Sequence, residues 1–179
     1  MERRPISIYT GEVLEVPTHI VRLDTRNTHG WQLRYGKWKM YSDRTPDGSG
    51  AKASLEIATI ELAKRIDTLK APSGIRTAPL SLKKSDLPVG ISGPREISRK
   101  KKSVIQLYFQ VTYPIFGSKP ANKQVYIATV NTFNQGKYDT ALAKCAALRR
   151  EGLRKFDELN TKAKRDLATR AGISGTGDA

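Results

Sequence analysis

Apolar and polar residues alternate in two separate stretches of the chain, and each alternation gives way to helical spacing. In the first stretch "THIVRLDT" and "GWQLRY" follow a period of two, and "KWKMYSD" comes close behind. Residues 27–30 and the Gly36-Lys37 step are turn material. The loop "RTPDGSG" then leads into "AKASLEIATIELAKRIDTL", which sets Leu55, Ala58, Leu62, Ile66 and Leu69 on one helical stripe.

The second stretch repeats that order. "VGISGPREI", "SVIQLYFQVTY" and "KQVYIATV" read as strands, with Pro114, Gly117 and Pro120 in the hairpin connection between the last two. A helix follows over "YDTALAKCAALRREGLRKFDEL", with Tyr138, Ala141, Leu142, Cys145, Leu148, Phe156 and Leu159 inward. Gly152 inside it costs about 1 kcal/mol relative to alanine, and marks either close contact or a weak point. "NTKAKRDLATRAG" either extends that helix or forms another, and "ISGTGDA" reads as disordered.

The fold class expected is α+β, in two tandem units, each a three-stranded antiparallel sheet packed on one α-helix. Residues 1–70 form the first unit and 71–88 a linker rich in proline, glycine and serine. Residues 89–160 form the second unit, and 161–179 a C-terminal extension, partly disordered.

A sheet covered by one helix buries one face only, and strand residues alternate between faces. The pattern sends Val21, Leu23, Leu33 and Met40 to the helix, with Trp31, Tyr35 and Trp38 in phase. It sends Arg22, Asp24, Gln32, Arg34, Lys37 and Lys39 outward. In the second unit Ile105, Leu107, Phe109, Val111, Val125, Ile127 and Thr129 go in. Gln106, Tyr108, Gln110, Gln124, Tyr126 and Ala128 go out. Glutamine can hydrogen-bond the adenine edge in a major groove, and arginine or lysine the guanine edge. Arg95 and the run Arg99, Lys100, Lys101 and Lys102 flank the turn after the first strand, where they suit phosphate contacts.

Charge changes the picture most. Among 179 residues, 32 Lys and Arg stand against 17 Asp and Glu, a net +15 that implies a polyanionic partner. No run of eighteen apolar residues suits a membrane span, and no apolar leader segment opens the chain. The single Cys145 sits at helical spacing and reads as a small core residue. His19 and His29 lack companions at metal-ligand spacing, so neither a metal nor another cofactor is implied. Isolated carboxylates and the lack of a glycine-rich phosphate loop argue against an enzyme.

The strand-strand-strand-helix order with an outward polar sheet resembles the plant ethylene-response-factor type DNA-binding domain, and the arm-site domains of phage integrases. "GIS" (Gly90 to Ser92) is similar to the family's Gly-Val opening, "QVYIATV" to its third strand and "YDTALAKCAAL" to its alanine-rich helix. The chain departs from the pattern with Gln124 for a basic residue, Tyr126 for tryptophan and Ala128 for glycine. The resemblance implies major-groove binding through Gln124, Tyr126, Gln106 and Tyr108, and through Gln32 and Arg34 in the first unit.

The expectation is a non-enzymatic binder of double-stranded DNA, a transcription regulator or nucleoid-associated protein in the cytoplasm. The alternative is an RNA-binding protein that stacks bases on the sheet tyrosines, although no RNP-like run is present. A module for acidic protein partners is a further class that the basic face would serve.

Overall fold

The computed structural model describes residues 2–79, 85–99 and 102–173. The chain order is β1 (Arg3–Ser7), β2 (Val13–Pro17), β3 (Ile20–Thr25), β4 (Thr28–Leu33), β5 (Lys39–Ser42), α1 (Ala51–Thr68), β6 (Ile91–Arg99), β7 (Lys102–Tyr113), β8 (Ala121–Thr129) and α2 (Gln135–Arg170), with one 3-10 turn at Val130–Thr132. The fold is α+β, with three antiparallel sheets, β1-β2, β3-β4-β5 and β6-β7-β8. The chain divides into two units, Met1–Ser73 with Asn160–Ala179, and Gly74–Leu159. The expected pair of three-strand-plus-helix units is therefore met in part. The first unit adds a third sheet and takes in the end of α2.

In the first unit the alternation of "GWQLRY" puts Trp31, Leu33 and Tyr35 in the core, against Leu55, Ala58, Leu62 and Ile66 of α1. Trp31 Nε1 donates to the Ala51 carbonyl at 2.8 Å, which satisfies the indole where it is buried. Thr25 pairs with Thr28, so the β3-β4 turn is Arg26-Asn27 and His29 and Gly30 belong to the strand. Leu69 lies beyond the end of α1 and is exposed. Gly50 just before α1 must be glycine, because a Cβ there would stand 1.9 Å from the Asp43 carbonyl oxygen.

The β1-β2 hairpin was not foreseen. Its turn is closed by Gly11, whose φ of +89° favours glycine, and by a hydrogen bond from the Gly11 amide to the Ile8 carbonyl. Ile8 and Val16 enter the first core.

In the second unit Ile91, Phe109, Val111, Val125 and Ile127 meet Ala141 and Cys145 of α2. Cys145 is the small core residue its spacing suggested, and burial pushes its thiol up. At Gly152 an added Cβ would lie 2.8 Å from Tyr113 Cβ, so the glycine marks close contact. Gly90 makes room for the Arg149 guanidinium, which donates to the Thr112 carbonyl.

The segment after Leu159 extends α2 to Arg170. Thr161 Oγ1 accepts from the Ala71 amide at 3.0 Å, Arg165 Nε donates to the Ile66 carbonyl at 3.1 Å, and Ala168 joins the first core. Ile173, which the sequence placed in a disordered tail, is buried; the rest of that tail, residues 174–179, lies outside the described residues.

Candidate nucleic-acid interface

β7 is the middle strand of its sheet. With Phe109 and Val111 turned to α2, the alternate residues Gln106, Tyr108 and Gln110 line the face that no helix covers, in three rows across the strands. One row is Ser92, Gln110 and Gln124; the next is Arg95, Tyr108 and Tyr126; the third is Ile97, Gln106 and Thr129. Residues opposite one another in such rows touch. The Tyr108 and Tyr126 rings meet edge to face with centroids 5.4 Å apart. The Tyr108 hydroxyl donates to Gln106 Oε1 at 2.7 Å, and Arg95 Nη2 donates to Ser92 Oγ at 3.3 Å. Tyr126 is 48% exposed. Gln106, Tyr108, Gln110, Gln124 and Tyr126 thus share the face to which alternation assigned them, and Arg95, expected beside the turn after the first strand, lies within β6 in their midst.

A bulge alters the end of this sheet. Leu107 pairs with Ala128 but Tyr108 with Tyr126, so β8 carries one extra residue, Ile127. Ala128 is therefore buried rather than outward, and Thr129 shares the row of Gln106 rather than facing α2. Ile105 is in the inward phase but exposed, so it lies outside the core.

The first sheet overturns more of the expected phases. Arg22 pairs with Trp31 and Ile20 with Leu33, which puts Arg22 on the helix side and Val21 and Leu23 on the open side. The Arg22 guanidinium donates to Asp43 Oδ1 at 3.0 Å and Oδ2 at 2.6 Å, and its Nε to Asp24 Oδ2 at 2.9 Å. It also lies 4.9 Å from the centre of the Trp31 ring. Asp43 takes a further hydrogen bond from Ser54 Oγ at 2.7 Å. Burial alone would raise the Asp24 carboxyl, but hydrogen bonds from Arg22 and His29 outweigh it and hold the group below the usual carboxylate range. Arg22 is a structural ion-pair residue.

In β5, Met40 pairs with Gln32 and so faces out, not in. Trp38, in phase with Met40, is 66% exposed rather than packed on α1. Lys39 pairs with Leu33 on the helix side, its ammonium 5.1 Å from the centre of the Tyr41 ring, which corrects its expected place on the open face. Lys37 is exposed in the bend before β5, and its carbonyl accepts from Arg65. The open face of the first sheet therefore holds Gln32 and Arg34, joined by a 2.6 Å hydrogen bond from Arg34 Nε to Gln32 Oε1, together with Val21, Leu23, Met40 and Trp38. Alternation counted from Met40 and tied to Gln32 would have found Trp38; apolarity alone did not.

In the basic run, Arg99 pairs with Lys102 in the β6-β7 ladder, and Lys100 and Lys101 lie outside the described residues.

No known protein family, characterised protein or solved structure matches this chain. Its chemistry is read from the two open faces alone. Glutamine amides offer both donors and acceptors, arginine offers a planar fork of donors, and the aromatic rings offer flat apolar surface. Among the described residues no group of three His, Cys, Asp or Glu side chains is placed to hold a metal ion. No helix there is long and apolar enough to cross a membrane.

Proposed function

We propose that the protein binds double-stranded DNA without catalysing a reaction, with the helix-free face of the second sheet in the major groove. The observation that carries this reading is the pair of adjacent rows Ser92-Gln110-Gln124 and Arg95-Tyr108-Tyr126 on one uncovered face of a chain with net charge +15. A sheet of this width enters a major groove, where glutamine and arginine can address adenine and guanine. The resemblance to ethylene-response-factor type domains supports the same docking. Gln32, Arg34 and Trp38 give the first unit a second surface of like chemistry, and two such surfaces on one chain raise affinity where both engage. The role that follows is transcription regulation or nucleoid organisation in the cytoplasm.

The half-exposed Tyr126 ring against Tyr108 favours one alternative, stacking of unpaired RNA bases. Competition between duplex DNA and single-stranded RNA separates the two.

Anisotropy of a labelled duplex, measured across salt concentrations, tests the main reading. Neutralising roughly eight phosphates gives a slope of log K against log salt of about −7. An almost flat plot would sink the proposal. Within sequences selected from a random pool, Gln106→Ala with Tyr108→Ala is expected to cost about 1–3 kcal/mol of discrimination.

A further inference from the structure

At the turn end of the first sheet, the Arg26-Asn27 turn and the segment after β5 enclose an open cleft of about 340 Å³, lined by Arg26, Asn27, His29, Ser42, Arg44 and Thr45 with Pro46. The lining is cationic and rich in hydrogen-bond donors. The carboxylates of this region are already engaged. Asp24 and Asp43 are held by Arg22, and Asp47 accepts from the Ser49 amide and hydroxyl. Among the described residues neither Arg26 nor Arg44 forms an ion pair.

The walls are fixed. His29 Nδ1 is 2.9 Å from Asp24 Oδ1, and its ring lies on Tyr9, whose hydroxyl bonds the Pro46 carbonyl. Thr45 Oγ1 accepts from the Gly50 amide at 3.0 Å, which ties the segment to the start of α1. Arg44 has φ +61°, a left-handed conformation uncommon for a residue with a side chain, and its amide donates to Ser42 Oγ at 3.2 Å. An arginine kept in such a conformation, beside a second unpaired arginine, is the kind of outlier from which function is inferred. Ser42 lies opposite Gly30, on the same side of the sheet as Gln32 and Met40, so the cleft adjoins the open face.

We propose that this cleft is a phosphate-binding site, with Arg26 and Arg44 gripping the anion and Asn27 and Ser42 supplying hydrogen bonds. Its natural source, a phosphodiester of the DNA backbone, rests on the DNA-binding reading; its anion chemistry does not. Arginine matches phosphate geometry through two parallel donors, and such contacts fix orientation without reading bases.

The test follows the amide resonances of Asn27, Ser42 and Arg44 in the full chain while inorganic phosphate or diethyl phosphate is added. The native protein is compared with a variant carrying Arg26→Gln and Arg44→Asn, asparagine being tolerant of the left-handed backbone. Saturable shifts in the native protein, lost in the variant, are expected. Absent shifts, or equal shifts in both proteins, overturn the site even if duplex DNA is bound. With closed circular DNA, the variant should show a salt slope shallower by about 1 than the native protein, one phosphate contact being lost. If the two proteins differ only on duplexes with 5′-phosphorylated ends, the site stands with a terminal phosphate as its ligand. Phosphate binding without any duplex binding keeps the site, with free phosphate as its ligand, and refutes the DNA-binding reading instead.

Discussion

Arg22 is a charge turned into the core, and its worth is set by what it neutralises. Asp43 has no exposed side-chain surface, and its carboxylate oxygens are met by the guanidinium and the Ser54 hydroxyl. Removing one partner of a buried pair leaves the other uncompensated, which costs about 3–5 kcal/mol. Arg22→Ala is expected to destabilise the first unit by about that amount. Urea unfolding followed by tryptophan fluorescence checks it, because both tryptophans, Trp31 and Trp38, lie in that unit. Arg34→Ala, on the open face, should change the stability read from the same unfolding curve by less than about 0.5 kcal/mol. Two arginines of one sheet thus part company, one serving stability and the other facing outward. Nothing in "IVRLDT" announces which way Arg22 turns, since Val21 and Leu23 are the more apolar choice for the core. The decision lies in the pairing with Trp31 and in an aspartate 21 residues away.

At the scale of elements, the parts that local pattern determines were readable. The α1 stripe, the burial of Trp31, Leu33 and Tyr35, and the outward glutamines and tyrosines of β7 and β8 follow from periods of 3.6 and 2. The β1-β2 hairpin was not foreseen although it leaves the same kind of signal: Ile6 and Ile8 alternate before Thr10-Gly11, and Leu14 and Val16 alternate after it. The bulge at Ile127 was not readable, because one inserted residue shifts a phase without altering composition. Gly152 carries a prediction at this scale. Alanine there gains about 1 kcal/mol in helix propensity, but its Cβ would press on Tyr113 Cβ, close to that residue's backbone rather than at a yielding tip. Overpacking of that kind costs about 1–3 kcal/mol. Gly152→Ala is therefore expected to lower the thermal midpoint of the second unit, read by circular dichroism; a raised midpoint would show that α2 has room to shift.

For the whole molecule the consequential fact is that the first unit is discontinuous in sequence. Ending the chain after Leu159 removes the Thr161, Arg165 and Asn160 hydrogen bonds to Ala71, Ile66 and Pro72, and uncovers the core at Ala168. At about 1 kcal/mol for each hydrogen bond, the loss comes to about 3 kcal/mol or more. It should appear as a lower urea midpoint in tryptophan fluorescence. An unchanged midpoint would make that segment dispensable to the first core.

The same discontinuity sets an order of events during synthesis. Domains usually finish folding from the N-terminal side as the ribosome delivers them, at about 5–20 residues per second. Here the amide of Ala71 finds its partner 90 residues downstream, so roughly 5–18 s of translation separate the two. The strands that begin the chain thus stay unsealed until the second unit has been made, and the part of the protein born first is the last to be finished.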